Sequence, residues 1–311
     1  MISVIMASYN ASEFIGLAIK SILEQTFSEF ELIIVDDGST DNSLEIITGY
    51  AEQDSRIRVI HAAHGGASQA RNIGIEAAQY PWIAIMDADD IALPDRLEKQ
   101  ICLAESNPKV VAWGAAVHHI SSQGKVLSIS CLGPETEAEF DRMRQEGHVV
   151  NLNHPTALLK KEVVLEVGSY DPAFTSAEDL DLLDRMASHG PILATSEPLL
   201  LYRVHAQSDS MSRFFIQRLR MRYVRHRHLA RLSGKADPTF EEFLAERRQW
   251  HVWRRLSKHL ETLGMFYYRK AGLLVGEKQL LPACFYLGMA FVLNPTYSIP
   301  RLQSQSFFSQ T

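Results

Sequence analysis

Asp87, Asp89 and Asp90, interrupted only by Ala88, follow directly on the mostly apolar run at 82–86, WIAIM. Three carboxylates this close repel one another unless a positive charge sits among them. A divalent cation answers that need, and hard oxygen ligands suit Mg²⁺ or Mn²⁺. The same residues also suit an acidic strand–helix turn, with Asp90 capping the helix that follows Pro94. A second acidic group, Glu178-Asp179-Leu180-Asp181, opens a helix running to about residue 187. One of its carboxylates could act as a general base that deprotonates an acceptor hydroxyl. Its plainer reading is an acidic first turn favoured by the helix macrodipole.

Other chemistry-bearing residues fall at the ends of apolar runs. Ser8-Tyr9-Asn10 follows residues 2–7, and Asp36-Asp37-Gly38 follows ELIIV at 31–35. Gly65-Gly66 and Arg71 follow Ile57–His61. Together these residues meet the requirements of a nucleotide diphosphate with a metal. Tyr9 offers a flat ring for a base, Asp37 offers acceptors for base or ribose, and Asp89 offers a metal ligand. Arg71 offers a fixed positive fork. Singly, Tyr9 reads as a half-buried packing residue, Asp36-Asp37-Gly38 as a turn, and Arg71 as a surface ion-pair partner. His205, in YRVH, is by itself an ordinary packed or solvated histidine. No G-x-x-x-x-G-K-S/T loop occurs, and no GxGxxG follows the first strand. A GxSxG elbow and Cys or His pairs at zinc spacing are also missing.

The elements that would position these groups alternate. Apolar runs at 2–7 and 31–35 and the run Ile57–His61 read as strands, and 82–86 reads as a buried strand of a parallel sheet. Helical periodicity appears at 14–25, with Ser12 as its cap, then through Ile47 and Tyr50, and at 67–78. This order predicts an α/β fold with a doubly wound, mostly parallel sheet, whose ligands collect at the carboxyl ends of the strands. Beyond it, Pro94 opens a helix to about 106. Residues 110–119 and 125–129 form a hairpin about Gln123-Gly124, and 136–146 form a charged helix. Short β runs follow at 156–160 and 199–204. Helices are expected at 240–263 and Leu280–Leu293.

Charge divides the chain. Residues 1–210 hold 14 Lys+Arg against 31 Asp+Glu, whereas 211–311 hold 17 against 6. The reading is an acidic globular domain at 1–210 and a helical basic region at 211–311. Seven arginines between 213 and 231, with Phe214, Phe215, Leu219, Tyr223 and Leu229 interleaved, suit a solvated helix, an anionic membrane surface, or an acidic acceptor or partner. The acidic body argues against nucleic acid. Cys102, Cys131 and Cys284 are odd in number and far apart, which suggests a reducing compartment. Neither a signal peptide nor an apolar run long enough to span a bilayer is evident. The expected location is cytoplasmic, or peripheral at the inner face of the membrane.

With these residues assembled, the chain resembles the family 2 glycosyltransferases, of the GT-A fold. The matching stretches are VIMASYN (4–10), SILEQTF (21–27), ELIIVDDGSTDNS (31–43), GGASQARNIGI (65–75) and WIAIMDADDIALPDRLEKQ (82–100). NHPTALLKKEVVLEVGSYD (153–171), EDLDLLDRM (178–186) and YRVH (202–205) complete the set. The resemblance implies an inverting transfer from a nucleotide-diphosphate sugar to a saccharide or lipid-linked hydroxyl acceptor, with Mn²⁺ or Mg²⁺. It places Ser8 and Tyr9 at the nucleotide, Tyr9 against the base. Asp37 would bind the base, Arg71 would approach the nucleotide, and Asp87 would bind the ribose. Asp89 would hold the metal, with His205 sharing metal or diphosphate. Asp179 would be the catalytic base with Glu178 beside it, and His154 would border the acceptor. Ala7 stands where the family often has Pro or Thr. No QxxRW motif is present, so a single-sugar transferase fits better than a polymer-extruding synthase. Two other readings share these residues: a sugar-phosphate nucleotidyltransferase, which MASYNAS suits poorly, and a non-catalytic nucleotide-sugar-binding scaffold.

Overall fold

The computed structural model describes residues 1–205, 209–276 and 278–304. Its strands are β1 (Ile2–Ser8), β2 (Phe30–Asp36), β3 (Ile57–His61), β4 (Trp82–Asp87), β5 (Ile91–Ala92), β6 (Ala112–Ile120), β7 (Val126–Ser130), β8 (Leu158–Lys160) and β9 (Ile192–Arg203). They form one sheet in the order β3-β2-β1-β4-β8-β6-β9-β5, with β7 paired to β6. The first four strands are parallel, as the apolar runs predict. Where β8 joins β4 and β6, and β5 joins β9, the pairing is antiparallel. The order reverses between β1 and β4, and such a switch point leaves a crevice at the carboxyl ends. Register brings the acidic ends into line there: Ser8 lies opposite Asp36, and Ala7 opposite Asp87.

Helices α1 (Ile15–Leu23), α2 (Ser43–Ala51), α3 (Ala67–Ala77), α4 (Arg96–Ser106), α5 (Glu137–Gln145), α6 (Lys161–Glu166) and α7 (Glu178–Met186) accompany the sheet. The core is continuous through Ile2, Val4, Ile5 and Met6 of β1, Leu32, Ile33, Ile34 and Val35 of β2, and Ile83, Ala84 and Ile85 of β4, all shielded from solvent. Strands buried on both faces need helices above and below, which is why these segments carry no polar alternation. Helix α3 lies flush on β1, since a methyl group added at Gly74 would stand 2.6 Å from Ile5 Cγ2.

Two local expectations are corrected. Ser12 does not cap α1. The N-cap is Phe14, with no side-chain bond, and the Ser12 amide instead donates to Asp41 Oδ2 at 3.1 Å. The helix expected at 240–263 is two helices, Phe240–Arg248 and Val252–Gly276, separated at residues 249–251.

The chain divides into two compact units: residues 1–119 with 129–203, and residues 120–128 with 204 onward. The second unit is helical, with α8 (Asp209–Ser212), α9 (Phe214–Leu232), α10 (Phe240–Arg248), α11 (Val252–Gly276), α12 (Leu280–Leu293) and α13 (Pro295–Ser304). Helix α10 begins with a reciprocal capping box between Thr239 and Glu242, and such a cap satisfies two orphan amides. Among the described residues no helix is long and apolar enough to cross a membrane.

Candidate active site at the strand ends

The carboxyl end of β2 presents two aspartates with different tasks. Asp36 is fully buried. Its Oδ2 accepts from the Ser39 amide at 3.2 Å and lies 2.9 Å from His61 Nδ1. Asp37 faces the loop into α3, where the Gly65 and Gly66 amides donate to its Oδ1 and Oδ2 at 2.8 and 2.9 Å. The loop can offer both amides because Gly66 takes φ 90° and ψ 166°, a backbone region essentially reserved for glycine. Tyr9, 46% exposed, lies beside Asp37's loop and stacks on His64, with ring centroids 4.2 Å apart. His64 Nδ1 is in turn 3.0 Å from Asp37 Oδ2. His64 was not singled out from the sequence, and a histidine one residue before Gly-Gly carries no signal until the loop is folded. Ser8 is buried, and its Oγ has no hydrogen-bond partner.

At the end of β4, Asp87, Asp89 and Asp90 offer ligand atoms that all lie within 4.8 Å of one another. Asp90 is not a helix cap. It is buried, and its Oδ1 accepts from the Arg203 amide at 2.8 Å. Arg203 Nε reaches back to the Asp89 carbonyl at 2.8 Å. Burial, and then the charges of Asp89 and Asp87, hold the Asp90 carboxyl well above the usual carboxylate range. Its Oδ2 is buried without a partner. An all-oxygen donor set, mutually repelling and containing an orphaned buried oxygen, fits a hard divalent cation. Beneath it Arg96 is wholly buried, donating to the Ile85 carbonyl at 2.8 Å and to Gln100 Oε1 at 3.0 Å. Burial lowers Arg96 to about 10 despite the opposing pull of Asp90 and Asp87. Its place under the acidic strand end was not legible in the sequence, where it reads as one residue of a charged helix start.

Arg71 joins the two acidic groups. Its Nη2 donates to Asp87 Oδ1 at 3.0 Å and its Nη1 to Glu178 Oε1 at 2.9 Å. It is therefore a buried bridge, 8% exposed, and not a fork directed at solvent. Burial alone would depress the guanidinium, but Asp87 and Glu178 outweigh it and raise it. Through this bridge α7, which carries Asp179, is held against β4. Ala177, the residue before Glu178, is in the left-handed region at φ 61°, a strained conformation for alanine. Burial first, then the charge of Glu178, lifts Asp179 to about 6, against its backbone amide bonds and Arg71.

A packed wall supports the bridge. The Arg71 guanidinium carbon lies 5.7 Å from the centre of the Tyr170 ring. Tyr170 Oη and His154 Nε2 share a 2.7 Å hydrogen bond. Burial and then Arg71 push His154 down to about 3, so the imidazole is neutral. Asn72 ties α3 to the same wall, donating to the Tyr170 carbonyl at 2.8 Å and accepting from its amide at 3.0 Å. The structure thus brings Arg71, Asp87, Glu178, Asp179 and His154 together. Asp89 and Asp90 adjoin Asp87 in the chain, and Tyr9, Asp37 and Ser8 stand at the neighbouring strand ends. His205 lies two residues past β9, in the second unit.

Residues 3–168 match Glycosyl transferase family 2. The chain belongs to that family. Glycosyl transferase family 2 relatives include the O-antigen biosynthesis glycosyltransferase WbnJ of Escherichia coli, 33% identical over 222 residues, which are 68% of this chain and 83% of that protein. The amylovoran biosynthesis glycosyltransferase AmsE of Erwinia amylovora is 33% identical over 217 residues, 68% of this chain and 79% of that protein. Among solved structures, S. aureus TarS 1–349 in complex with UDP aligns over 98% of this chain and 92% of its own, with TM-score 0.58 and 17% identity. The mannosyltransferase PcManGT of Pyrobaculum calidifontis in complex with GDP-Man and Mn²⁺ aligns over 97% and 79%, with TM-score 0.55 and 17% identity. At that identity the likeness shows the fold, a GT-A glycosyltransferase fold. The family makes the chain a glycosyltransferase, an enzyme, in place of the scaffold reading.

Proposed function

We propose that this chain is an inverting glycosyltransferase that moves a sugar from a nucleotide diphosphate to a hydroxyl acceptor, with Asp179 as the base. The observation that carries the reading is the Arg71 bridge. It ties Asp87 and Glu178, the neighbour of Asp179, to one buried cation. In this reading the base stacks on Tyr9 near Asp37, Ser8 Oγ gains its missing partner from the nucleotide, and Asp87 holds the ribose. Asp89, with Asp87 and Asp90 adjoining, would hold the Mn²⁺ or Mg²⁺. When bound, such a cation supplies positive charge against the leaving diphosphate.

Asp179 accepts the acceptor's hydroxyl proton as that oxygen bonds to the anomeric carbon from the face opposite the diphosphate. The bond from that carbon to the diphosphate oxygen breaks, its electron pair leaves with the nucleotide, and the configuration inverts. A carboxylate at about 6 is ionised near neutral pH yet still basic enough to take a proton in the transition state. Glu178, held by Arg71, lies beside it and raises the Asp179 carboxyl. His154, neutral and half-buried, borders the acceptor side without adding charge. The resemblance gives His205 a share in holding metal or diphosphate, and a higher Mn²⁺ concentration required for half-maximal activity in His205→Ala would support that share.

The named relatives act in O-antigen and amylovoran biosynthesis, so the acceptor class proposed here is a growing surface glycan, free or carried on lipid. A lipid-carried acceptor suits a region that holds 17 Lys+Arg against 6 Asp+Glu. The deciding test is a panel of nucleotide sugars read by thermal shift with and without Mn²⁺, since a ligand of the folded state raises its melting temperature by mass action. Anomeric proton couplings of the transferred sugar then report the stereochemistry. Retention of configuration, or no shift with any donor, would overturn the proposal.

A further inference from the structure

Helix α12, LLPACFYLGMAFVL, contains no charged residue. Ala283 and Ala290 bury one side of it, and α11 packs against it. Leu281, Phe285 and Val292 stand 87%, 64% and 78% exposed. With Gly288 they occupy positions i, i+4, i+7 and i+11, a single stripe along the helix. Large apolar side chains aligned and open to water mark a docking surface more often than an ordinary exterior. Beside the stripe, an apolar cavity of about 100 Å³ opens between α11 and α12, lined by Tyr268, Val275, Leu280, Ala283, Cys284 and Leu287.

The charges flanking α12 in sequence are mostly basic. From Thr262 to the last residue the chain carries Arg269, Lys270, Lys278 and Arg301 against a single acid, Glu277. Lys278 is exposed three residues before Leu281. Lys270 Nζ lies 4.3 Å from the centre of the Tyr286 ring, and Arg301 stacks on Tyr297 of α13. The arginine-rich helix α9 is differently employed. Arg227 and Arg231 pair with Asp237, Arg222 donates to Thr262 Oγ1 at 2.8 Å, and Arg220 stacks on Phe240. Those four arginines are engaged within the helical unit.

We propose that α12 is an in-plane anchor that beds Leu281, Phe285 and Val292 into the acyl boundary of an anionic bilayer, with Lys278 and Arg301 at the headgroups. Fourteen residues of helix measure about 21 Å, short of the roughly 30 Å hydrocarbon layer, so the helix lies along the surface and does not cross it. A flat apolar stripe within basic flanks is the pattern of interfacial helices. A second copy of the chain is the weaker occupant, because it would bring one basic face against another. The anchor gives purpose to the lipid-carried acceptor proposed above, but bilayer binding itself requires no donor and no transfer.

The test is co-sedimentation of the full chain with phosphatidylcholine vesicles, with and without phosphatidylglycerol, at low and high salt. Binding to the phosphatidylglycerol vesicles, weakened by salt, is expected. Leu281→Glu and Phe285→Glu should each lower it by roughly tenfold, about what half-burying such a side chain contributes. Leu165→Glu, at an exposed apolar residue of α6, should leave it unchanged. Circular dichroism melting checks each variant, and Val292→Glu at the far end of the stripe gives an independent reading if one melts early. Binding to neither vesicle at low salt would overturn the anchor, as would binding indifferent to all three stripe substitutions. A Phe285-dependent dimer in light scattering without vesicle binding would assign the face to a second copy. Donor-induced thermal shifts, measured without lipid, report separately on the transferase reading.

Discussion

Asp179→Asn separates the base reading from a purely structural role, because it changes activity and stability in opposite directions. The carboxyl stands near 6 against an ordinary 3.8, a rise of about two units, and each unit is about 1.4 kcal/mol. Below pH 3.8 the group is protonated folded or unfolded, and it costs nothing. As pH climbs toward 6 the unfolded chain releases its proton while the folded chain keeps it, so folding loses up to ~3 kcal/mol. Asp179 is only partly enclosed, and solvent screening should leave about half, ~1.5 kcal/mol. Asparagine cannot ionise and escapes this penalty. Its melting temperature should therefore match the wild type near pH 4 and exceed it by roughly 3–6 °C above pH 7. Turnover should fall roughly 10²–10⁴-fold, and the rise of wild-type kcat/KM through pH 6 should vanish from the residual rate. Differential scanning calorimetry across pH and a nucleoside-diphosphate release assay measure the two arms. A variant that keeps near-normal transfer, or whose stability difference does not grow with pH, would refute the assignment.

Arg71→Ala should destabilise the fold by about 3–5 kcal/mol in urea titration, because it strands Asp87 and Glu178 as partly buried unpaired charges. Chelation with EDTA should abolish both transfer and the donor-induced thermal shift, with added Mn²⁺ restoring them. Asp89→Asn should reproduce the chelated state and resist rescue. Gly66→Ala forces a methyl-bearing residue into φ 90°. It should cost about 1–3 kcal/mol and weaken donor binding in calorimetric titration by disturbing the amides that hold Asp37.

The sequence showed the parallel half of the sheet because β1, β2 and β4 are buried on both faces, leaving unbroken apolar runs that end in polar clusters. It did not show β5, whose two residues have no periodicity to read. The first half of β9 was hidden for a similar reason, since Ser196-Glu197-Pro198 interrupts its apolar pattern. The break between α10 and α11 carries neither Gly nor Pro, so nothing local announced it. At the site, the acidic residues were visible because like charges clustered in sequence demand an explanation. Their cations were not. Arg96 and Arg203 come to lie beside the acidic strand end, and Arg71 bridges its two carboxylates, only in the folded chain, with a separation of 107 positions between Arg71 and Glu178. His64 under Tyr9 and the Tyr170–His154 wall were hidden in the same way.

Gly74 sets the pitch of a rod. From there to Gly66 the axis of α3 runs about 12 Å, and the tip of that rod carries the two amides that clasp Asp37. A single added carbon at Gly74 would prise the helix from β1 at its middle and swing the tip through an arc. The place of the amides that hold Asp37 is thus calibrated at a distance from them, by the thickness of one hydrogen atom.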